Sequence, residues 1–355
     1  MKKFIPIFAS ALLSAFLLSI GICAQTYDSA KDTLRFPQEK HLKNIRMLTH
    51  SGENAEAYLS WDEKKLIFQS NNGNLPCDQI FTMSIDGSSE KMVSTGFGKT
   101  TCSYFLPGDT AIIYASTHLA DNNCPAPPDM SRGYVWELYK TFDIYLAKPD
   151  GSHLKRLTDA YGYDAEATVS PTGDKIIFTS TRDGDPELYT MNLDGTNQKR
   201  LTFQKGYDGG AFFSLDGKKI VFRASRPVTE QDKKDYEELV QKGYVRPSAL
   251  EIYTMNADGS DMKKLTNFGK ASFAPFFFPD GKRIIFSSNI NSKNGRNFDL
   301  YVINSDGSAL EQITFSNTFD SFPMFTGDGK HLVFASNRFG KHPHDTNIFI
   351  ADWVE

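Results

Sequence analysis

The stretch that decides the fold is Tyr163–Thr202, YDAEATVSPTGDKIIFTSTRDGDPELYTMNLDGTNQKRLT. It contains four short extended segments, AEATVS, KIIFTST, ELYTMNL and QKRLT, and each is separated from the next by turn-forming residues. The run Lys175–Phe178 is continuously apolar after its lysine, which is typical of a strand covered on both faces. The stretch therefore predicts one four-stranded antiparallel unit that needs neighbouring copies of itself.

The copies are marked by a repeated Asp-Gly-Ser or Asp-Gly-Thr turn, which suits a tight hairpin because glycine adopts positive φ easily. The aspartates of these turns are Asp86, Asp150, Asp194, Asp258 and Asp306. The steps from Asp150 to Asp194 and from Asp258 to Asp306 fit the roughly 40 to 45 residues of a propeller blade. The other two steps are longer and predict insertions, at 118–140 in blade 2 and at 227–247 in blade 4.

Six inner hairpins can be counted, but the last one continues only through Asn347–Trp353 and lacks a fourth strand. A matching segment, Asn44–Thr49, lies at the other end of the chain. We therefore predict an all-β, six-bladed propeller of four-stranded antiparallel blades, in which an N-terminal strand completes the last blade and few sheet edges stay free.

The turn before the second strand of each blade carries a further motif. It reads Ser170-Pro171-Thr172-Gly173, Ser214-Leu215-Asp216-Gly217, Phe278-Pro279-Asp280-Gly281 and Thr326-Gly327-Asp328-Gly329. These turns resemble the Ser-Pro-Asp-Gly turns of the WD40-like repeats of the TolB-like β-propeller family, over nearly all of Asn44–Glu355. The resemblance implies a cell-envelope scaffold that binds a protein or peptide, and it covers the propeller domain only.

The N-terminus has the pattern of a secretory signal peptide: two lysines, an apolar stretch and small residues around Ala24. We predict a signal peptide over 1–24, an extension over 25–42 and the propeller over 43–355. Lipidation of Cys23 is the alternative to plain cleavage, although Ile22 stands where a lipobox has a small residue. No later stretch is apolar and long enough for a transmembrane helix, so we expect a periplasmic or otherwise secreted protein of a bacterial envelope.

The charge balance indicates which classes of partner the protein can bind. Thirty-nine basic and 43 acidic residues give a net charge of −4, and loss of Lys2 and Lys3 with the signal peptide makes the chain more acidic. An acidic surface argues against nucleic acid as a partner. We expect an envelope protein or peptide, with a glycan as a further candidate.

Three cysteines remain after the signal peptide: Cys77, Cys102 and Cys124. An oxidising compartment favours a disulfide, and the repeat places all three on the same rim. The pairing that we favour involves Cys102. The spacings match no zinc motif.

Two sets of residues are candidates for binding. The blade 2 insertion carries Tyr134, Trp136 and Tyr139, which could form a raised lip for a partner, because interfaces favour such residues. The alternative is that these rings only pin the loop. In blade 4, Thr229 with Asp232 predicts a helix cap, and Gly243 the helix end.

Polar residues recur where the inner strands begin, so we predict a ring at the channel mouth that could hold a cation or a basic group. Its members are Glu56, Asp164, Glu166, Asp208 and Asp320. The alternative is hydrogen bonding between blades. Arginines after second strands, Arg182, Arg226 and Arg338, are predicted to pair with third-strand acids, Glu187, Glu251 and Asp299.

Catalysis finds little support, since no Gly-x-Ser-x-Gly motif occurs. The better enzyme hypothesis rests on His118, His342 and His344. Propeller-shaped oligogalacturonate lyases resemble this arrangement in using histidines on one face to hold a divalent metal. We therefore expect no catalytic residues and no cofactor, with a metal-dependent, polysaccharide-active enzyme as the alternative.

Overall fold

A computed structural model describes residues 32–72, 75–131 and 133–355. The predicted signal peptide and Cys23 lie outside the described residues. The chain from Leu34 to Glu355 forms one compact unit, and six four-stranded antiparallel sheets follow one another along it. The predicted six-bladed propeller is confirmed. Within the described residues, none of the helices could span a membrane.

The first three blades each run from an inner to an outer strand. Blade 1 contains β2 (Glu53–Leu59), β3 (Lys65–Asn71), β4 (Gln79–Ser84) and β5 (Lys91–Met92). Blade 2 contains β6 (Thr100–Phe105), a 3-10 turn (Pro107–Asp109), β7 (Ile112–Ser116), β9 (Asp143–Ala147) and β10 (Lys155–Arg156), with β8 (Trp136–Glu137) in its insertion. Blade 3 contains β11 (Asp164–Val169), β12 (Ile176–Ser180), β13 (Glu187–Met191) and β14 (Lys199–Arg200).

The other three blades follow the same order. Blade 4 contains β15 (Asp208–Phe213), β16 (Lys219–Ala224), β18 (Glu251–Asn256) and β19 (Lys263–Lys264), with α1 (Glu230–Gln241) and β17 (Tyr244–Val245) in its insertion. Blade 5 contains β20 (Ser272–Phe277), β21 (Arg283–Ser288), β22 (Asp299–Asn304) and β23 (Glu311–Gln312). Blade 6 contains β24 (Asp320–Phe325), β25 (His331–Ser336), β26 (Asn347–Trp353) and, as its outer strand, β1 (Leu42–Met47).

β1 joins the two ends of the chain, because it pairs antiparallel with β26 from Leu42 opposite Trp353 to Met47 opposite Phe349. The residues just before it are fixed as well. The fully buried Arg338 donates from Nη2 to Glu39 Oε1 at 2.8 Å and to Asp320 Oδ2 at 3.1 Å. A charge-assisted contact of this kind fastens the segment before β1 to the first strand of blade 6.

The core lies between the blades. In β12, Ile176, Ile177 and Phe178 are all fully buried, so this strand is covered on both faces as its composition predicts. Helix α1 forms where the sequence predicts it. Thr229 Oγ1 accepts from the backbone N–H of Asp232 at 3.1 Å, and the Asp232 carboxylate accepts from the Thr229 N–H, which completes a capping box.

Candidate functional site

Each innermost strand carries a β-bulge at the same place, and the bulge residue has positive φ in all six blades. The six residues are Glu56 (φ 53°), Cys102 (φ 48°), Glu166 (φ 57°), Gly210 (φ 57°), Ala274 (φ 49°) and Phe322 (φ 52°). The first three blades thus contribute polar side chains to the channel, and the last three contribute small or apolar ones. A left-handed backbone at a bulge is a common device for redirecting a side chain.

Two residues further along each inner strand, large side chains close the channel. They are Tyr58, Tyr104, Phe212, Phe276 and Met324, with Thr168 in blade 3. Phe212 is at the centre of this plug, because its ring lies 5.3 Å from that of Tyr58, 6.2 Å from Tyr104 and 5.4 Å from Phe276. A separate, small cavity of about 100 Å³ lies at the lower end, and Trp61 and Leu215 line it.

Above the plug, a cavity of about 1090 Å³ occupies the channel mouth. Three of the bulge side chains on its wall are polar: Glu56, Cys102 and Glu166. The opposite wall is apolar and consists of four phenylalanines in contact, in which the Phe273 ring lies 5.2 Å from Phe298, 6.2 Å from Phe319 and 5.9 Å from Phe322. A large concave site that combines apolar area with a few placed polar groups is the usual form of a binding pocket.

A buried ionic cluster forms part of the polar wall. Arg223 reaches from β16 and donates to the Glu166 carboxylate, and it also donates to the Tyr207 hydroxyl at 2.9 Å. The Tyr207 hydroxyl lies 2.8 Å from both Glu166 oxygens, and the Gly210 N–H donates to Glu166 Oε2 at 2.9 Å. Burial disfavours the charged guanidinium, but the charge of Glu166 keeps the pKa of Arg223 above its ordinary value.

Two adjacent glycines make room for this cluster. A Cβ on Gly209 would collide with the Glu166 carboxylate and the Tyr207 hydroxyl, and one on Gly210 would collide with the Arg223 guanidinium. Arg223 and Tyr207 were not predicted from the sequence. The signal that could have revealed them is the Gly209-Gly210 pair, because no other inner strand has two glycines at these two positions.

Glu56 lies on the same polar wall as this cluster. Burial disfavours its ionised form, and with the nearby charge of Glu166 it raises the Glu56 pKa to about 7. Burial and the charge of Glu56 likewise raise the pKa of the Cys102 thiol well above its usual range. At neutral pH the Glu56 carboxyl is therefore able both to donate and to accept a hydrogen bond.

The two insertions meet over the cavity, which the sequence did not predict. β8 from blade 2 pairs antiparallel with β17 from blade 4, with Trp136 opposite Val245. Trp136 packs inside the roof that this ribbon forms: its ring lies 4.9 Å from the Arg223 guanidinium carbon and 5.9 Å from Phe273. Helix α1 is held against blade 3, because the Tyr236 hydroxyl donates to Asp185 Oδ1 at 2.6 Å.

The three aromatic residues proposed as a lip have different environments. Tyr134 is 62% exposed and lines the edge of the cavity. Trp136 belongs to the roof, as described above. The Tyr139 hydroxyl donates to the carbonyl of Ala126 at 2.6 Å and so holds the insertion loop. Of the three, Tyr134 alone keeps the exposure that a lip requires, and partner binding itself stays a prediction.

The cysteine pairing that we favoured is wrong. Cys77 and Cys124 form the disulfide, with their Cα atoms 5.8 Å apart, and Cys102 is free and buried. The physical reason is that the bulge turns Cys102 into the channel, whereas the other two lie in neighbouring loops of blades 1 and 2. The disulfide ties the blade 2 insertion to blade 1.

The five residues predicted for the mouth ring lie in two different environments. Glu56 and Glu166 line the cavity, but Asp164, Asp208 and Asp320 are fully buried inside the blades. Each accepts from the arginine that follows the second strand of its own blade: Arg182 at 2.9 Å, Arg226 at 2.6 Å and Arg338 at 3.1 Å. The predicted pairing of these arginines with third-strand acids is therefore wrong as well.

The third-strand acids have other partners or none in the described structure. Glu187 pairs with Arg200 at 2.7 Å, and Glu251 accepts from the Thr266 hydroxyl at 2.6 Å. Asp299 Oδ1 has no hydrogen bond from any described residue. Burial raises the pKa of Asp299 to about 7, with a contribution from the charge of Asp320.

The histidines proposed as metal ligands do not meet as a cluster. The His118 ring lies 4.5 Å from that of Tyr145, its Nδ1 is 2.9 Å from Ser116 Oγ, and burial lowers its pKa. His342 and His344 are exposed. Among the residues that the structure describes, no three His, Cys, Asp or Glu side chains are grouped so as to hold a metal ion.

Comparison with known proteins agrees with this architecture. The family model of the TolB beta propeller domain matches residues 127–244 and 244–344. A protein TolB homolog from Chlorobium luteolum is 38% identical over 50 residues, which are 14% of this chain and only 12% of that relative.

Three solved structures share the fold. A candidate TolB from Agrobacterium tumefaciens has a TM-score of 0.56 and 18% identity, and the matched region spans 87% of this chain and 94% of that chain. TolB from Acinetobacter baumannii has a TM-score of 0.55 and 18% identity, with 85% and 63% covered. An oligogalacturonate lyase from Vibrio parahaemolyticus has a TM-score of 0.50 and 14% identity, with 87% and 93% covered. At these identities the likeness extends to the fold alone.

Proposed function

Because this chain belongs to the TolB beta propeller domain family, we propose that it is a non-catalytic binding protein of the bacterial cell envelope. In this proposal it holds a segment of a protein partner in the cavity at the channel mouth. The observation that carries the proposal is the cavity of about 1090 Å³, which the plug closes from below and the ribbon of β8 and β17 covers from above.

The cavity is large enough for a peptide segment. Drug-sized ligands occupy pockets of about 300 to 1000 Å³, so a cavity of about 1090 Å³ lies at the upper end of that range and has room for several residues of an extended segment. The shape is also held in place: the disulfide between Cys77 and Cys124 and the pairing of β8 with β17 fix the blade 2 insertion at two points. A site that is already ordered loses less conformational entropy when it binds.

The envelope location rests on the predicted signal peptide 1–24 and on the family. An oxidising compartment is consistent with the disulfide. The partner, in this proposal, is another envelope protein, and the acidic chain is not expected to bind nucleic acid.

Site-specific photocrosslinking tests the proposal. The crosslinking residue p-benzoylphenylalanine replaces Tyr134 at the edge of the cavity or, as a matched control, Tyr161, which is 80% exposed and does not line the cavity. Both proteins are expressed in the native envelope, irradiated and analysed by mass spectrometry. We expect one protein to be crosslinked at position 134 and absent at position 161. Equal capture at both positions, or none at 134, would contradict the proposal.

The second candidate is a polysaccharide-active enzyme, and the observation that favours it is Glu56. A carboxyl with a pKa of about 7 inside a cavity has the properties of a general acid or base. Release of unsaturated sugars from an acidic polysaccharide by the native protein, abolished in Glu56→Gln, would support it. A native protein with no such activity, with and without added divalent cations, would count against it.

A further inference from the structure

Most charged side chains that line the mouth cavity are already paired. Lys99 lies 4.0 Å from Asp78 and 3.5 Å from Glu137, and Arg223 pairs with Glu166. Three cations on the cavity wall remain: Arg246, Lys270 and Arg296. Across the described residues, the side chains of these three make neither an ion pair nor a hydrogen bond with another residue.

The three free cations occur on one side of the mouth. Arg246 follows β17 in blade 4, Lys270 precedes β20 in blade 5, and Arg296 lies in the loop between β21 and β22 of the same blade. The chain as a whole is acidic, with a net charge of −4, so a group of unpaired cations at a cavity has the opposite sign to the net charge. Charges of one sign around a concave site attract ligands of the opposite sign.

The same side of the cavity carries the apolar wall. Phe273 and Phe298 belong to blade 5, and Phe319 and Phe322 to the start of blade 6. Phenylalanine offers no hydrogen bond to a ligand, whereas sugar hydroxyls taken out of water need hydrogen-bond partners. Large apolar side chains fit this wall, and carboxylates fit the cations beside it.

We propose that the mouth cavity selects an acidic peptide segment, in which carboxylate side chains contact Arg246, Lys270 and Arg296 and large apolar side chains pack on the phenylalanine wall. This inference rests on the proposed function and adds the chemistry of the bound segment. The charges are exposed or half-buried, so they contribute mainly to selection and to the rate of association.

Calorimetric titration of the mature protein tests the inference with two capped hexapeptides that differ only in charge. One alternates aspartate with phenylalanine, and the other alternates asparagine with phenylalanine. We expect the aspartate peptide to bind about tenfold more tightly at low salt, and we expect this advantage to shrink as salt screens the charges.

Two triple variants of equal charge change locate the effect. Arg246→Gln, Lys270→Gln and Arg296→Gln together remove the free cations at the mouth. Lys218→Gln, Lys282→Gln and Lys330→Gln remove three cations from the hairpin turns between first and second strands, beside the lower cavity. The first variant is expected to lose the preference for the aspartate peptide, and the second is expected to keep it.

The possible outcomes distinguish selection for acidic segments from peptide binding as such. Equal binding of both peptides, unchanged in the mouth variant, would overturn the selection for acidic segments and leave peptide binding in place. Failure of both peptides to bind would contradict peptide binding itself. Binding of trigalacturonate in place of the peptides would overturn the inference and favour the enzyme candidate.

Discussion

The two levels of the central channel differ although the same six strands build them. At the bulge level, blades 1 to 3 place Glu56, Cys102 and Glu166 around a cavity of about 1090 Å³. Two residues further on, a plug centred on Phe212 closes the channel. Residues two apart face the same side of a strand, so one strand serves both levels. The comparison indicates that the lower level stabilises the ring, and that the upper level is available for binding.

The largest effect is expected from Phe212→Ala in the plug. Phe212 is 6% exposed and contacts three aromatic rings, so its loss leaves a cavity in the core. We expect the free energy of unfolding to fall by about 3 to 5 kcal/mol in urea denaturation. A loss below about 1 kcal/mol would show that the plug does not support the ring.

The next largest loss of stability is expected from removal of the disulfide that ties the blade 2 insertion to blade 1. Replacing both Cys77 and Cys124 by serine removes the disulfide and is expected to lower the free energy of unfolding by about 2 to 4 kcal/mol. Cys102→Ser serves as the control, because that thiol is free. The disulfide would have no structural role if the double variant and Cys102→Ser unfolded at the same urea concentration.

A pH-dependent effect is expected at Glu56. Its pKa in the folded protein is raised to about 7, so folding favours the protonated carboxyl, and the stability that this form provides is present at low pH. That stability is lost as the pH rises from about 4.5 through 7, which costs about 3 kcal/mol. Glu56→Gln should therefore match the native protein near pH 4 and exceed it in stability near pH 8. A difference that does not change with pH would contradict this environment for Glu56.

The smallest effect on stability is expected from Tyr134→Ala at the edge of the cavity. The side chain is 62% exposed, so the free energy of unfolding should change by less than about 0.5 kcal/mol. Binding of the aspartate and phenylalanine hexapeptide at the mouth should nevertheless weaken. A large loss of stability would mean that Tyr134 supports the roof and is not a contact for a partner.

The sequence was sufficient for features that depend on local pattern. Turn residues, short apolar strand runs and the capping pair Thr229 and Asp232 predicted six blades and α1, because each is encoded within a few residues. The pairing of β1 with β26 joins distant segments and was predictable only because the repeat lacks a fourth strand in the last blade. Other contacts between distant segments were not predictable in this way. The pairing of Trp136 with Val245, the disulfide of Cys77 with Cys124, and the burial of Asp208 all depend on how blades and insertions meet.

Binding at the channel mouth can be tested with one tryptophan at each end of the channel. Trp136 lines the mouth cavity and Trp61 lines the lower one. Two proteins are prepared, each with a single tryptophan: one keeps Trp136, the other keeps Trp61, and phenylalanine replaces the remaining two. Each is titrated with the aspartate and phenylalanine hexapeptide while its fluorescence is recorded. We expect a saturable change in Trp136 emission and none in Trp61 emission. A response of Trp61 with none from Trp136 would contradict binding at the mouth.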